Sequence, residues 1–229
     1  MNQSVSYSTF CCPKDQDRVL ALAQEHADSH RYPFDAKFFV FQRCAESLVC
    51  PDGFNPIRIQ ENDYALLLNG FGIQYPDPVL SELTHGWGAP HFFAHHLVNH
   101  LSVLKQATTD YIAFADGDCF IKDTPADGPS WIDMGIEILE NNPDVFVVCP
   151  NEGGPGRRET IMSQQMFLID RKKFLGMEFI PWDGTFINGG PFQEYYGLLE
   201  GWIGRFMAKR GLFRYVLPPE WRYWHLAYH

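Results

Sequence analysis

Apolar positions along the chain fall into short runs that alternate in period. Val5 to Cys12 is a β-type run ended by Pro13. The stretch from Asp15 to His26 carries Val19, Leu20, Leu22 and Ala23 on one face, continued by Ala27, which predicts a helix capped by Asp15. After a turn at Tyr32-Pro33, Lys37 to Gln42 is a short continuous apolar strand. The unit is therefore βαβ, which implies a parallel sheet with a right-handed crossover.

Between Cys50 and Pro90, Gly, Pro and Asn interrupt two short apolar runs, Tyr64 to Leu68 and Val79 to Leu83. This predicts a loop-rich stretch with one strand and room for one helix. Further along, Phe92 to Gln106 has helical spacing, Tyr111 to Ala115 is a buried strand, and Trp131 to Leu139 is a helix. Val145 to Cys149 and Thr160 to Asp170 read as strands, Leu198 to Lys209 as a helix closed by Gly211, and Phe213 to Leu217 as the last strand before an aromatic tail. The alternation predicts one α/β domain over residues 1–229 with a mixed, mainly parallel sheet flanked by helices. The domain would divide into two halves, residues 1–120 and 121–229.

Composition narrows the partners. A formal charge of -10 repels phosphate backbones, so nucleic acid is not an expected partner. No apolar stretch approaches the ~18 residues needed to span a bilayer. The start of the chain lacks the basic and apolar regions of a secretory signal. With six cysteines in no zinc-site spacing, the expectation is a soluble protein with free thiols in the cytoplasm. Any membrane association would be peripheral, through a partner.

The most informative local feature is Asp116-Gly117-Asp118, where an apolar strand stops abruptly. In open α/β sheets, ligands sit beyond the carboxyl ends of the strands. Two neighbouring carboxylates repel unless a cation lies between or beside them, and a divalent metal there offers a site for diphosphate oxygens. Gly117 allows close backbone approach of a ligand or an unusual φ. A plain turn would use the same residue types. Four histidines, His91, His95, His96 and His100, have no acidic partner at ligand spacing, so helix packing is enough to explain them.

The context of the triplet, Leu101 to Asp118, resembles the helix, turn and strand that precede the DxD motif of GT-A glycosyltransferases of the family 2 type. A second segment is similar to that family's acceptor side, in the correct order: Gly189-Gly190, Glu194, then Glu200-Gly201-Trp202 at the start of a helix ending in Gly211. The resemblance implies a GT-A fold, with a nucleotide-binding half over residues 1–120 and an acceptor-binding half over 121–229, and a hexosyltransferase-like enzyme of polysaccharide or glycoconjugate synthesis. Such an enzyme moves a sugar from a nucleotide-sugar donor to a glycan or glycoconjugate acceptor with Mn²⁺ or Mg²⁺. It implies Asp116, Asp118 and His225 as metal ligands, with Thr9, Phe10, Cys11, Arg43 and the Asp116-Gly117-Asp118 turn at the donor. Trp182, Asp183, Gly189, Gly190 and Trp202 fall on the acceptor side. Glu200, with Glu194 as the alternative, would be the base of an inverting reaction, and a retaining reaction is the other course the resemblance leaves open. One departure stands out: Gly201 occupies the position where the family usually has Asp, the common base. Two other readings stay open: an inactive carbohydrate- or nucleotide-binding protein on the same fold, and a DxD phosphohydrolase with an Asp nucleophile.

Overall fold

The computed structural model describes residues 3–72, 92–123, 125, 127–151, 156–159, 165–177 and 199–225. The expected βαβ unit is present: β1 (Val5–Cys11), α1 (Gln16–Ser29) and β2 (Ala36–Gln42), with β1 and β2 parallel. Asp15 stands at the N-cap of α1 but makes no side-chain cap. Its carboxylate instead accepts the backbone N–H of Cys12 at 2.8 Å, tightening the strand-to-helix corner. The helix runs three residues past His26 because that histidine is itself buried, along with Val19, Ala23 and Ala27.

The loop-rich stretch holds β3 (Asn55–Ile59) and α2 (Glu61–Gly70), so the Tyr64 to Leu68 run is helical. Its companion run, Val79 to Leu83, lies outside the described residues. Then come α3 (Phe92–Gln106), β4 (Tyr111–Ala115), β5 (Cys119–Asp123) and α4 (Trp131–Asn141). Ser130 and Asp133 form a reciprocal capping box that starts α4. The rest comprises β6 (Val145–Cys149), β7 (Arg157–Glu159), β8 (Met166–Asp170), α5 (Arg171–Leu175), α6 (Leu199–Arg210), β9 (Phe213–Val216) and β10 (Arg222–His225). Gly211 follows α6 with φ +66°, and the N–H of Leu212 reaches back to the Met207 carbonyl, as the sequence led one to expect of a helix stop.

Eight strands join in the order β3-β2-β1-β4-β8-β6-β9-β7. β8 is antiparallel to both its neighbours and β7 to β9, while the remaining pairings are parallel. Alternation along the strands feeds two cores. On β4, Ile112 and Phe114 pack with Leu101, Phe167 and Met207 on the face covered by α3 and α6. Ala113 and Ala115 pack with Val19, Trp131 and Ile136 on the opposite face, under α1 and α4. Each fully buried Leu, Ile or Phe contributes on the order of 1.5–3 kcal/mol relative to exposure. His100 belongs to the first core, its ring 4.8 Å from that of Phe114 and 5.5 Å from that of Phe167.

The topology also locates the crevice. From β1 the chain moves outward to β2 and β3, whereas β4 lies on the other side of β1. The sheet therefore changes direction between β1 and β4, and Asp116 follows the last residue of β4 there.

Candidate active site

The site is built on the turn that joins β4 to β5. The N–H of Asp116 donates to the Gln165 carbonyl at 2.7 Å, and the N–H of Cys119 closes the turn on the Asp116 carbonyl at 3.0 Å. Gly117 occupies its tight point. A Cβ there would lie 2.6 and 2.7 Å from the two Val19 methyls and 2.8 Å from the Phe10 carbonyl oxygen. At Gly117 a close approach is made to the β1–α1 corner, and its φ is not positive. Removing the side chain lets the acidic turn sit down on the end of β1.

Asp116 and Asp118 are both half-buried, and each offers an oxygen within 4.8 Å of the other and of the Cys119 thiol. An Asp118 oxygen lies 3.5 Å from the guanidinium of Arg18, on the first turn of α1. The sulfur of Cys119 is 3.9 Å from the other Asp118 oxygen. Two carboxylates and a thiol converging on one point suit a divalent cation. The carboxylate majority fits the hard ions Mg²⁺ and Mn²⁺. Cys119 is the member of this cluster that sequence reasoning missed, because the resemblance named only the acidic pair and a late histidine.

That histidine is brought to the same place by an element the sequence did not reveal. The aromatic tail folds into β10, which pairs antiparallel with β5 and sets the backbone of His225 opposite Cys119, next to Asp118. Asn151, fully buried, holds the tail in position. Its side-chain amide donates to the Leu217 carbonyl at 2.6 Å, its N–H donates to Trp221, and its carbonyl accepts from Tyr223. The Tyr223 hydroxyl then donates at 2.6 Å to the side chain of Gln165, whose own carbonyl receives the Asp116 N–H. One chain of hydrogen bonds thus links the tail to the acidic turn. The available sequence signal was an Asn directly after the Pro that ends β6.

Phe10 is half-buried and its carbonyl touches the turn, whereas Thr9 and Cys11 are fully enclosed. Arg43, just beyond β2, has φ +55°, a left-handed conformation unusual for a non-glycine residue. It lies two strands away from Asp116. Glu200 and Trp202 are on α6, with Glu200 in its first turn. Because α6 runs back to the start of β9, that turn lies at the end where the parallel strands finish. Trp182, Asp183, Gly189, Gly190 and Glu194 lie outside the described residues. Arg157 and Arg158 lie on edge strand β7. There Arg157 pairs with Glu159, and Arg158 pairs with Asp144 at 2.6 Å, at the start of β6 and away from the crevice.

No family model and no curated protein matches the sequence. Solved structures do. S. aureus TarS, residues 1–349, aligns with a TM-score of 0.50 and 11% identity over 98% of this chain and 60% of that one. The mannosyltransferase PcManGT from Pyrobaculum calidifontis, in complex with GDP-Man and Mn²⁺, aligns with a TM-score of 0.48 and 12% identity over 96% and 56%. The galactosyltransferase LgtC, in complex with donor and acceptor sugar analogs, gives 0.41 and 12% over 76% and 60%. This chain therefore spans 56–60% of the length of these structures. Taken with the mixed, mainly parallel sheet and its flanking helices, the TarS match gives the chain the fold of the GT-A glycosyltransferases.

Proposed function

We propose that the protein is a metal-dependent glycosyltransferase that moves a sugar from a nucleotide-sugar donor to a glycan or glycoconjugate acceptor. The observation that carries this reading is the convergence of Asp116, Asp118 and Cys119 at the switch point of a GT-A sheet, with the backbone of His225 alongside. Asp116 and Asp118 would hold Mn²⁺ or Mg²⁺, with His225 completing the set. When bound, the cation supplies Lewis-acid stabilisation of the charge that grows on the departing nucleoside diphosphate. Arg18 neutralises Asp118 until the cation arrives. Thr9 and Cys11 are enclosed, so in this reading their contribution to the donor is made by the backbone and by shape, while Phe10 and Arg43 offer side chains.

On the acceptor side, Glu200 is assigned the base of an inverting reaction, taking the acceptor hydroxyl proton at roughly 2.6–3.2 Å. The positive end of α6 favours its ionised form. Glu194 is the alternative base, and Trp182, Asp183, Gly189, Gly190 and Trp202 would shape the acceptor cleft.

A panel of UDP-, GDP-, CMP- and dTDP-sugars, each with and without Mn²⁺, tests the reading by thermal shift on wild type and Asp118→Ala. One nucleotide should stabilise the wild type only with metal, by about 2.7 kcal/mol at a hundredfold excess over Kd. No shift with any nucleotide would overturn the donor site. Gly201, where the resemblance leads one to expect Asp, favours a second reading: a sugar or nucleotide binder without turnover. Measurable donor hydrolysis with Mn²⁺ would exclude it.

A further inference from the structure

On the β2 side of β1, away from the acidic turn, two thiols meet whose sulfurs the reading above does not use. Cys11 ends β1 and Cys44 follows β2 by two residues, yet their sulfurs lie 3.7 Å apart. Parallel pairing of β1 with β2 puts Cys11 level with Phe41, and the chain must turn sharply after Gln42 to bring Cys44 back over it. Arg43 makes that turn with its left-handed φ of +55°, pinned by its N–H to the Ile59 carbonyl at 2.9 Å. The Cys44 sulfur also lies 3.6 Å from the Cys11 carbonyl and 3.5 Å from that of Gln42, so the thiol is seated by three neighbours.

We propose that Cys11 and Cys44 are a redox modification site, a dithiol that closes to a reversible disulfide under peroxide and so ties the end of β1 to the segment after β2. The geometry requires little. A disulfide needs sulfurs about 2.05 Å apart, so the present gap closes by well under 2 Å. Cys11 is the fixed partner. It is fully buried, in register with β2, and follows Phe10, whose carbonyl is packed beneath Gly117. Cys44 is itself only 4% exposed, but it adjoins an irregular segment in which Ala45, Glu46 and Ser47 are exposed, the side from which an oxidant would approach.

The two thiols differ in the way such a pair needs. The Cys11 S–H beside it holds the Cys44 thiol below its ordinary value, against the opposing effects of burial and of the Asp15 carboxylate, with a smaller downward pull from Arg58. Cys11, facing Cys44 and more deeply buried, is pushed up. Cys44 thiolate attacks one peroxide oxygen, forming S–O as O–O breaks, and the released hydroxide takes a proton to become water. The Cys11 sulfur then attacks the Cys44 sulfenic sulfur. S–S forms, S–O breaks, and a second water leaves with the Cys11 proton. Two thiols and one peroxide thus give one disulfide and two waters, and a small thiol reverses the change.

The test is thiol mapping of the intact protein after brief peroxide treatment, by alkylation, proteolysis and mass spectrometry. The expected product is about 2 Da lighter, the two thiol hydrogens. It carries a single Cys11–Cys44 linked peptide pair, is restored by dithiothreitol, and retains four of its six thiols. Cys44→Ser and Cys11→Ser should each abolish the mass loss, while Cys12→Ser should keep it. If both cysteines stay alkylatable while half-exposed Cys12 is oxidised instead, the proposal is wrong. The readout contains no nucleotide, so it stands or falls separately from the transferase reading.

Discussion

The two ends of α1 do opposite work against the same neighbouring segment. At its first turn, Arg18 faces Asp118 as an ion pair, with side chains 46% and 19% exposed, and Val19 fills the space a side chain on Gly117 would take. At its last turn, His26 and His30 are buried and neutral. The His26 ring stands edge-on to Phe120 of β5 at 3.9 Å, and Trp131 donates to His30 Nδ1 at 2.8 Å. Ser29 receives the N–H of Ile121. One helix thus holds β5 at both ends, by charge where water reaches and by neutral polar contacts where it does not. The difference follows from desolvation: a carboxylate pair can stay ionised only at the wet end, where a cation can also enter.

Acid should break the buried end first and with the largest effect. Burial lowers His26 from 6.5 to about 4, and lowers His30 to about 3 with His26 adding to it. The folded chain keeps both rings neutral while the unfolded chain takes up protons below about 6.5. Stability is therefore unaffected above that pH and falls between it and about pH 4, by on the order of 3 kcal/mol for His26 alone. Urea midpoints measured from pH 7.5 to 4 should show this fall, and His26→Gln should flatten it. A wild-type midpoint that stays level down to pH 4.5 would contradict neutral burial.

Gly117→Ala attacks the wet end through packing. The new Cβ would stand 2.8 Å from the backbone oxygen of Phe10, which has little freedom to move. Overpacking of this kind costs about 1–3 kcal/mol, and the acidic turn must rise off β1 to relieve it. Chemical denaturation measures the first effect and Mn²⁺ titration the second; both should weaken. Asn151→Ala comes next, at about 1–3 kcal/mol, because it strips a buried carbonyl of its donor. It should loosen β10 and reduce Mn²⁺ affinity even though Asn151 touches neither aspartate. An unchanged affinity would mean that β10 is held in place without it.

Much of this could be read from residue order. Strands β2, β4 and β6 were legible because each is a nearly continuous apolar run, as strands buried on both faces tend to be, and β1 because it is a β-type run stopped by Pro13. Helix α3 was legible from its period. By contrast β5, β7 and β10 carry charged and aromatic residues, Cys119 to Asp123, Arg157 to Glu159 and Arg222 to His225, with no alternation to betray them. Their pairing is decided by a distant partner, and local pattern holds no record of that. The acidic pair was visible for the same reason that β4 was: it interrupts an apolar run. Arg18, Cys119, Asn151 and Gln165 were not, since their roles depend on which strand ends lie together. The Cys11–Cys44 contact was hidden likewise, behind a backbone reversal at Arg43 that no arginine advertises.

The smallest expected effect on stability is the one that sharpens the comparison most. Arg18→Ala removes an exposed ion pair, worth at most about 1 kcal/mol and often nothing measurable. Its effect on the cation has the opposite sign. In the native chain, Mn²⁺ must displace the guanidinium to reach that oxygen of Asp118, so the variant should bind Mn²⁺ severalfold more tightly without nucleotide. If Arg18 moves from the carboxylate to the donor diphosphate, the same variant should bind Mn²⁺-nucleotide more weakly than wild type. Calorimetric titration of metal alone and of metal with nucleotide separates the two. Tighter metal but unchanged nucleotide binding would confine Arg18 to the role of counter-ion. Weaker binding in both titrations would mean that it orients Asp118 rather than competes for it.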